Sequence, residues 1–144
     1  MKRNLFRLSL SLLLILAASF IFGQSTDDIV FEKTVQKFRK VDEGHQLTFT
    51  YNFTYTGKEK LTIIPPKVDC SCTKVILPES KIEEGKAYSI IIKFDTNGKI
   101  GWQEREIIIQ FVSDNMDSTS INRKLIFKGT VKASKATKEA YKKK

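Results

Sequence analysis

The chain reads as an all-β protein: an Ig-like antiparallel β-sandwich of about seven short strands, preceded by an N-terminal signal helix. Three observations lead there. Apolar and aromatic residues alternate with polar ones through most of the body, the period of a strand with one buried face. Turn residues interrupt that pattern about every ten residues. Between the leader and the basic end no stretch has helical period and no segment repeats.

The leader comes first. Lys2, Arg3 and Arg7 form a basic start, and residues 8–22 are apolar residues and serines without charge. That run is 15 residues long, short of the ~20 a helix needs to cross a bilayer. A basic segment, a short apolar segment and small residues at its end make a secretory signal peptide over 1–23, cleaved after Gly23. The expected destination is the periplasm or the medium. Residues 24–28, QSTDD, read as a linker, and 29–132 as the sandwich domain.

Within the domain a weak strand is expected over 29–38. The clearest strand is LTFTYNFTY, where Leu47, Phe49, Tyr51, Phe53 and Tyr55 alternate with Thr48, Thr50, Asn52 and Thr54 until Gly57. Leu61 to Ile64 form the next, stopped by Pro65 and Pro66, because proline cannot donate to a ladder. A short strand over 73–77 is closed by Pro78, and KIEEGK reads as a turn. Tyr88, Ile90, Ile92 and Phe94 then share one face. Asn97 and Gly98 mark a turn; the segment is too long for a two-residue hairpin and reads equally as a longer hairpin loop or as a crossing between two sheets. Ile107, Ile109 and Phe111 face inward on the following strand, with Ile108 and Gln110 outward. SDNMDSTSIN is a polar loop, and Leu125 and Phe127 face inward on the last strand.

The net charge of +9 looks at first like a signature of nucleic-acid binding. Mapping it removes that reading. Three positive charges leave with the leader, and from Lys132 onward six lysines face one acid, Glu139. The intervening domain is nearly neutral, so the basicity belongs to the end of the chain rather than to a patch on the fold. Residues 133–144 read as a basic flexible tail able to make weak contact with an anionic envelope surface. No nucleic-acid partner is expected.

Several elements together resemble a known family. The strand ending YTGKEKLTI is followed by VDCSCTKV, a proline, KIEEGKAYSIIIKFDTNGKIG, a strand ending VSDN, and LIFKGTV. This order is similar to the bacterial domain of unknown function 1573, which reads F-x-N-T-G-x-x-x-L-x-I, S-C-G-C-T, F-D-x-x-G-K-x-G and a final L-x-G-x-V. The resemblance covers residues 29–132 and implies an exported Ig-like sandwich related to ASH and MSP-type modules. Asp69 stands where that family has serine and Ser71 where it has glycine. The second exchange removes backbone freedom between the cysteines.

Cys70 and Cys72 are the only cysteines. In an extended strand they point to one face with Cα atoms about 6.6 to 6.8 Å apart. A disulfide prefers roughly 5.5 to 6 Å, so a bridge requires a local bend. A bridged or free pair packed at a strand end is the leading reading. Binding of a soft metal such as Cu(I) through two thiolates, and thiol–disulfide chemistry, are the alternatives. A fuller metal site lacks ligands: His45, the only histidine, begins the aromatic strand and is expected to be exposed, and Met116 lies in a loop with nothing to place it near Cys70.

Catalytic sets are missing from the pattern. There is no G-x-S-x-G, no phosphate-cradling glycine loop, and one histidine to serve as base. Glu83 and Glu84 precede a turn glycine, and Glu104 and Glu106 share the outer face of a strand; both pairs read as solvated. Trp102, at the mouth of that strand, reads as a ring capping the end of the core, with a half-exposed binding anchor as the alternative. The expectation is an exported, non-catalytic module without cofactor. Its role is structural or protein-binding, its partner another envelope or secreted protein that docks on an exposed edge or on loops at one end. The alternative is envelope copper handling or thiol redox through Cys70 and Cys72.

Overall fold

A computed structural model describes residues 27–78, 81–115 and 120–143. The signal peptide expected over 1–23, the first part of the linker and Met116 lie outside the described residues.

Among the described residues nine strands form two facing sheets: β1 Ile29–Phe31, β2 Val35–Lys37, β3 Val41–Asp42, β4 Gln46–Tyr55, β5 Leu61–Ile64, β6 Thr73–Ile76, β7 Ala87–Asp95, β8 Gly101–Ser113 and β9 Ser120–Lys132. One sheet runs β1-β4-β7-β6. The other runs β2-β9-β8-β5, with β3 also paired to β9. The long strands obey the period-two pattern. Phe49, Tyr51, Phe53 and Tyr55 are buried on β4, Ile90, Ile92 and Phe94 on β7, Ile107, Ile109 and Phe111 on β8, and Leu125 and Phe127 on β9. Their rings interlock between the layers. Phe127 stacks on Phe49 with centroids 4.6 Å apart and meets Phe94 at 5.0 Å. Offset and tilted contacts of this kind add to what the burial itself contributes.

β7 ends in the first sheet and β8 begins in the second, so of the two readings residues 96–100 are the crossing and not a hairpin loop. Gly98 adopts φ 67° in its turn, a conformation that disfavours a side chain.

Four expectations need correction. The single strand expected over 29–38 is two strands in different sheets: β1 pairs antiparallel with β4, and β2 pairs parallel with β9. The switch lets Phe31 pack on Phe53, at 4.9 Å, while Phe38 reaches Phe49 from the other layer at 5.9 Å. This split and β3 raise the count from about seven strands to nine. KIEEGK is more than a turn, because Ile82 is fully buried and bridges Leu61. Finally, the tail is not wholly irregular: Lys135–Lys142 form a helix, α1, with no buried residue. Ser134 caps it, accepting the Thr137 N–H at 3.2 Å. The Glu43 carboxylate accepts from the Thr137 hydroxyl at 2.6 Å and from the Ser134 N–H at 3.1 Å.

Candidate functional site

The site grows out of two prolines. β5 pairs with β8 only from Ile64↔Gln110 to Leu61↔Ser113. Beyond Ile64 the chain reads Pro65-Pro66, and Pro66, the next residue in line to donate to β8, has no N–H. The chain therefore leaves the second sheet and crosses to β6 in the first, through residues 65–72. β8 is 13 residues long and pairs with β9 along nearly all of its length. On its other side, the stretch from Trp102 to Ile108 has no neighbouring strand.

The ladder fixes which backbone groups face that open side. The Asp114 N–H bonds the Lys60 carbonyl, and residues along an antiparallel strand alternate between their two neighbours. The register is unbroken on both sides of β8. Even-numbered residues therefore direct N–H and C=O toward the open edge, and odd-numbered residues toward β9. Among the described residues, no acceptor meets the N–H groups of Glu104, Glu106 or Ile108. One carbonyl is occupied from within: Arg105 Nη1 donates to the Glu104 carbonyl at 3.0 Å. Its Nη2 donates to Gln103 Oε1 at 3.0 Å, and the guanidinium carbon lies 5.9 Å from the centre of the Phe94 ring. Arg105 thus closes the end of the core beneath the open edge.

The crossing loop forms the far wall. A hollow of about 480 Å³ lies between Lys67, Val68, Asp69 and Cys70 on one side and Glu104 to Ile107 on the other. A second, of about 530 Å³, continues past Pro65, Pro66 and Ile108 to Gln110. Together they trace a trough along the bare strand. Its outer rim is apolar at both ends, with Trp102 61% exposed and Ile108 46% exposed. Between them stand Glu104, 3.4 Å from Lys128, and Glu106, 2.9 Å from Lys124, both pairs on the solvent face.

Cys70 and Cys72 are joined by a disulfide in this loop, with Cα atoms 5.1 Å apart. The bend that the extended geometry lacks is supplied by a turn at Ser71 and Cys72. The Thr73 N–H bonds the Cys70 carbonyl at 3.1 Å and the Asp95 N–H bonds the Cys72 carbonyl at 2.8 Å. Ser71, in place of the family's glycine, needs no left-handed backbone, because among the described residues positive φ occurs only at glycines. With both sulfurs bridged, neither is available as a thiolate ligand. Among the described residues no three His, Cys, Asp or Glu side chains converge on a metal position.

The remaining candidates scatter. His45 is exposed, its ring nitrogen Nδ1 2.9 Å from the Asp42 carbonyl. Trp102 does not cap the core; its side chain faces outward at the end of the trough. Glu83, bonded by the Lys86 and Lys60 ammonium groups, is held down to about 2, the opposite of what a proton-donating carboxyl requires. Sequence reasoning missed the bare edge of β8. Pro65 and Pro66 were the available signal, but their effect falls on a strand that begins 35 residues after Pro66.

A comparison with curated protein sequences finds no match. Among solved structures the fold is similar to the ASH/PapD-like domain 7 of human CEP192, with TM-score 0.61 and 8% identity over 81% of this chain and 93% of that one. It is also similar to part of the Vibrio cholerae VesB protease, with TM-score 0.59 and 11% identity over 73% of this chain and 32% of that one. The YadV chaperone matches with TM-score 0.52 and 13% identity over 72% of this chain and 52% of that one. The chain thus spans about a third of VesB and about half of YadV, and at these identities the likeness is one of fold. The family model described as "Protein of unknown function (DUF1573)" matches residues 29–131, and the chain belongs to that family.

Proposed function

We propose that the mature domain is an exported, non-catalytic binding module that takes up an extended segment of another envelope or secreted protein by strand addition to the open edge of β8. The observation that carries this reading is the run from Trp102 to Ile108, unpaired on one side where Pro65 and Pro66 end β5. The terminal strands of both sheets are short, as natural sheets blunt their edges. β1, β2, β3, β5 and β6 have two to four residues each. Among the described residues, β4 from Gln46 to Tyr51 and β9 from Ser120 to Leu125 also lack a neighbouring strand on one side. Main-chain bonds to an edge supply affinity, and side chains of alternate residues supply selectivity. Export rests on the leader over 1–23, and the Cys70–Cys72 bridge suits an oxidising compartment. The lysines at the end of the chain add a salt-sensitive attraction to anionic surfaces.

The experiment is capture from envelope fractions with three baits: wild type, Glu106→Pro and Glu106→Gln. The Glu106 N–H faces away from β9, so proline there removes an edge donor without breaking the β8–β9 ladder. Retention by wild type and by Glu106→Gln, with loss in Glu106→Pro, is expected. Equal capture by a folded Glu106→Pro would rule out strand addition at this edge.

A further inference from the structure

From the charge pattern of the open edge we infer that the added strand is basic, with lysine or arginine at two alternate outward positions flanked by apolar residues; this rests on the strand-addition reading above. The outward side chains along the bare run are Trp102, Glu104, Glu106 and Ile108, so the rim reads apolar, acidic, acidic, apolar. A strand laid against β8 sets one of its own outward side chains opposite each of these, at the roughly 4.5–5.5 Å Cβ separation at which cross-strand pairs interact.

The neighbouring strand already follows this rule. On β9, Lys128 lies opposite Glu104, and Lys124, opposite Ile108, lies diagonal to Glu106. Their ammonium groups reach Glu104 at 3.4 Å and Glu106 at 2.9 Å. The acidic row thus has a basic row on one flank and none on the other. Both pairs are solvent-facing and hold the carboxylates only weakly. The remaining charges at the trough are Lys67 and Asp69 on the loop wall, of opposite sign, and Arg105, whose guanidinium faces inward and is bonded to the Glu104 carbonyl and Gln103.

The same pattern argues against a second copy of the domain as occupant. Two β8 edges paired antiparallel about Arg105 would bring Trp102 against Ile108 but Glu104 directly against Glu106, twice. Like charges placed directly opposite one another destabilise a sheet. Inward-facing residues of the added strand would lie over Arg105 and Ile107, where the loop wall leaves room for small or β-branched side chains.

The test uses the folded domain and synthetic peptides. The probe is Ac-Leu-Thr-Lys-Val-Lys-Thr-Tyr-NH2, compared with the same peptide carrying glutamate at both lysine positions and with the lysine peptide methylated at the backbone nitrogens of both lysines. The basic probe is expected to bind about ten-fold more tightly than the acidic one, the N-methylated probe not to bind, and the Glu104→Lys, Glu106→Lys double variant to reverse the preference. Both glutamates are exposed, and circular dichroism checks that the double variant is folded. Equal binding of acidic and basic probes, abolished by N-methylation, would overturn the basic-partner inference while leaving strand addition standing. Binding that survives N-methylation, or no binding by any probe, would overturn both.

Discussion

Tyr51 on β4 reaches through the sandwich to β9, where its phenol donates to the Ile126 carbonyl at 2.8 Å. Its ring is fully buried, and burial pushes its ionisation well above the ordinary tyrosine range. A polar handle on an otherwise hydrocarbon interior fixes how the two sheets sit on each other. Tyr51→Phe keeps the ring and leaves the Ile126 carbonyl without this donor. The expected cost is about 1–2 kcal/mol, read as a lower denaturant midpoint with an unchanged slope.

Gly129 supplies the glycine of the final motif, and its neighbourhood explains it. A Cβ built there would lie 2.4 Å from the Phe38 carbonyl oxygen and 2.7 Å from the Phe38 ring. Backbone cannot yield as a flexible side-chain end can. Gly129→Ala is expected to cost about 1–3 kcal/mol by displacing the chain next to β2, with thermal unfolding as the readout. Gly85→Ala has open space at its Cβ but a positive φ of 73°, so its penalty is that of strained backbone, about 1 kcal/mol.

The Cys70–Cys72 ring encloses three residues. On the chain-entropy account, closing so small a loop stabilises by only about 1.6 kcal/mol before strain is subtracted. The Cys70→Ser, Cys72→Ser double variant should remain folded and lose no more than about that amount. The turn has other supports, notably the Asp95 N–H bond to the Cys72 carbonyl. Chemical denaturation of the variant beside the oxidised protein checks this.

Glu43 ties three segments together. Besides its bonds to Thr137 and Ser134, its carboxylate accepts the Gly98 N–H at 3.0 Å. The Thr137 hydroxyl foremost, then the Ser134 N–H, hold Glu43 below the ordinary glutamate range. A depressed carboxylate contributes stability above its unfolded value, about 4.3. That contribution is lost as pH falls through the lower folded value. Amide shifts of residues 136–142 should therefore report a formed helix at neutral pH that frays only in acid, as pH falls below the ordinary glutamate range. In Glu43→Ala the same residues should be frayed already at pH 7, with no acid transition.

What the sequence reveals follows the range of the interaction. β4, β7, β8 and β9 were legible because strand period and inward identity are written in consecutive residues, as in Phe49, Tyr51, Phe53 and Tyr55. The division of 29–38 between sheets was not, since it depends on which layer Phe31 and Phe38 can each reach. α1 was missed for a similar reason. A lysine-rich stretch behind a serine is a weak local signal, and the anchor, Glu43, is distant in sequence. The bend between Cys70 and Cys72 depends on bonds to neighbouring strands, and the open edge exists only once the register of β5 on β8 is known.

Native-state hydrogen exchange along β8 tests that edge most directly. The N–H groups of Gln103, Arg105 and Ile107 point to β9, whereas those of Glu104, Glu106 and Ile108 point to the open side. The free domain should show alternation, with the odd-numbered amides exchanging slowly and the even-numbered ones rapidly. Protection of Glu104, Glu106 and Ile108 equal to that of their odd-numbered neighbours would mean that the edge is already covered, and would contradict the account.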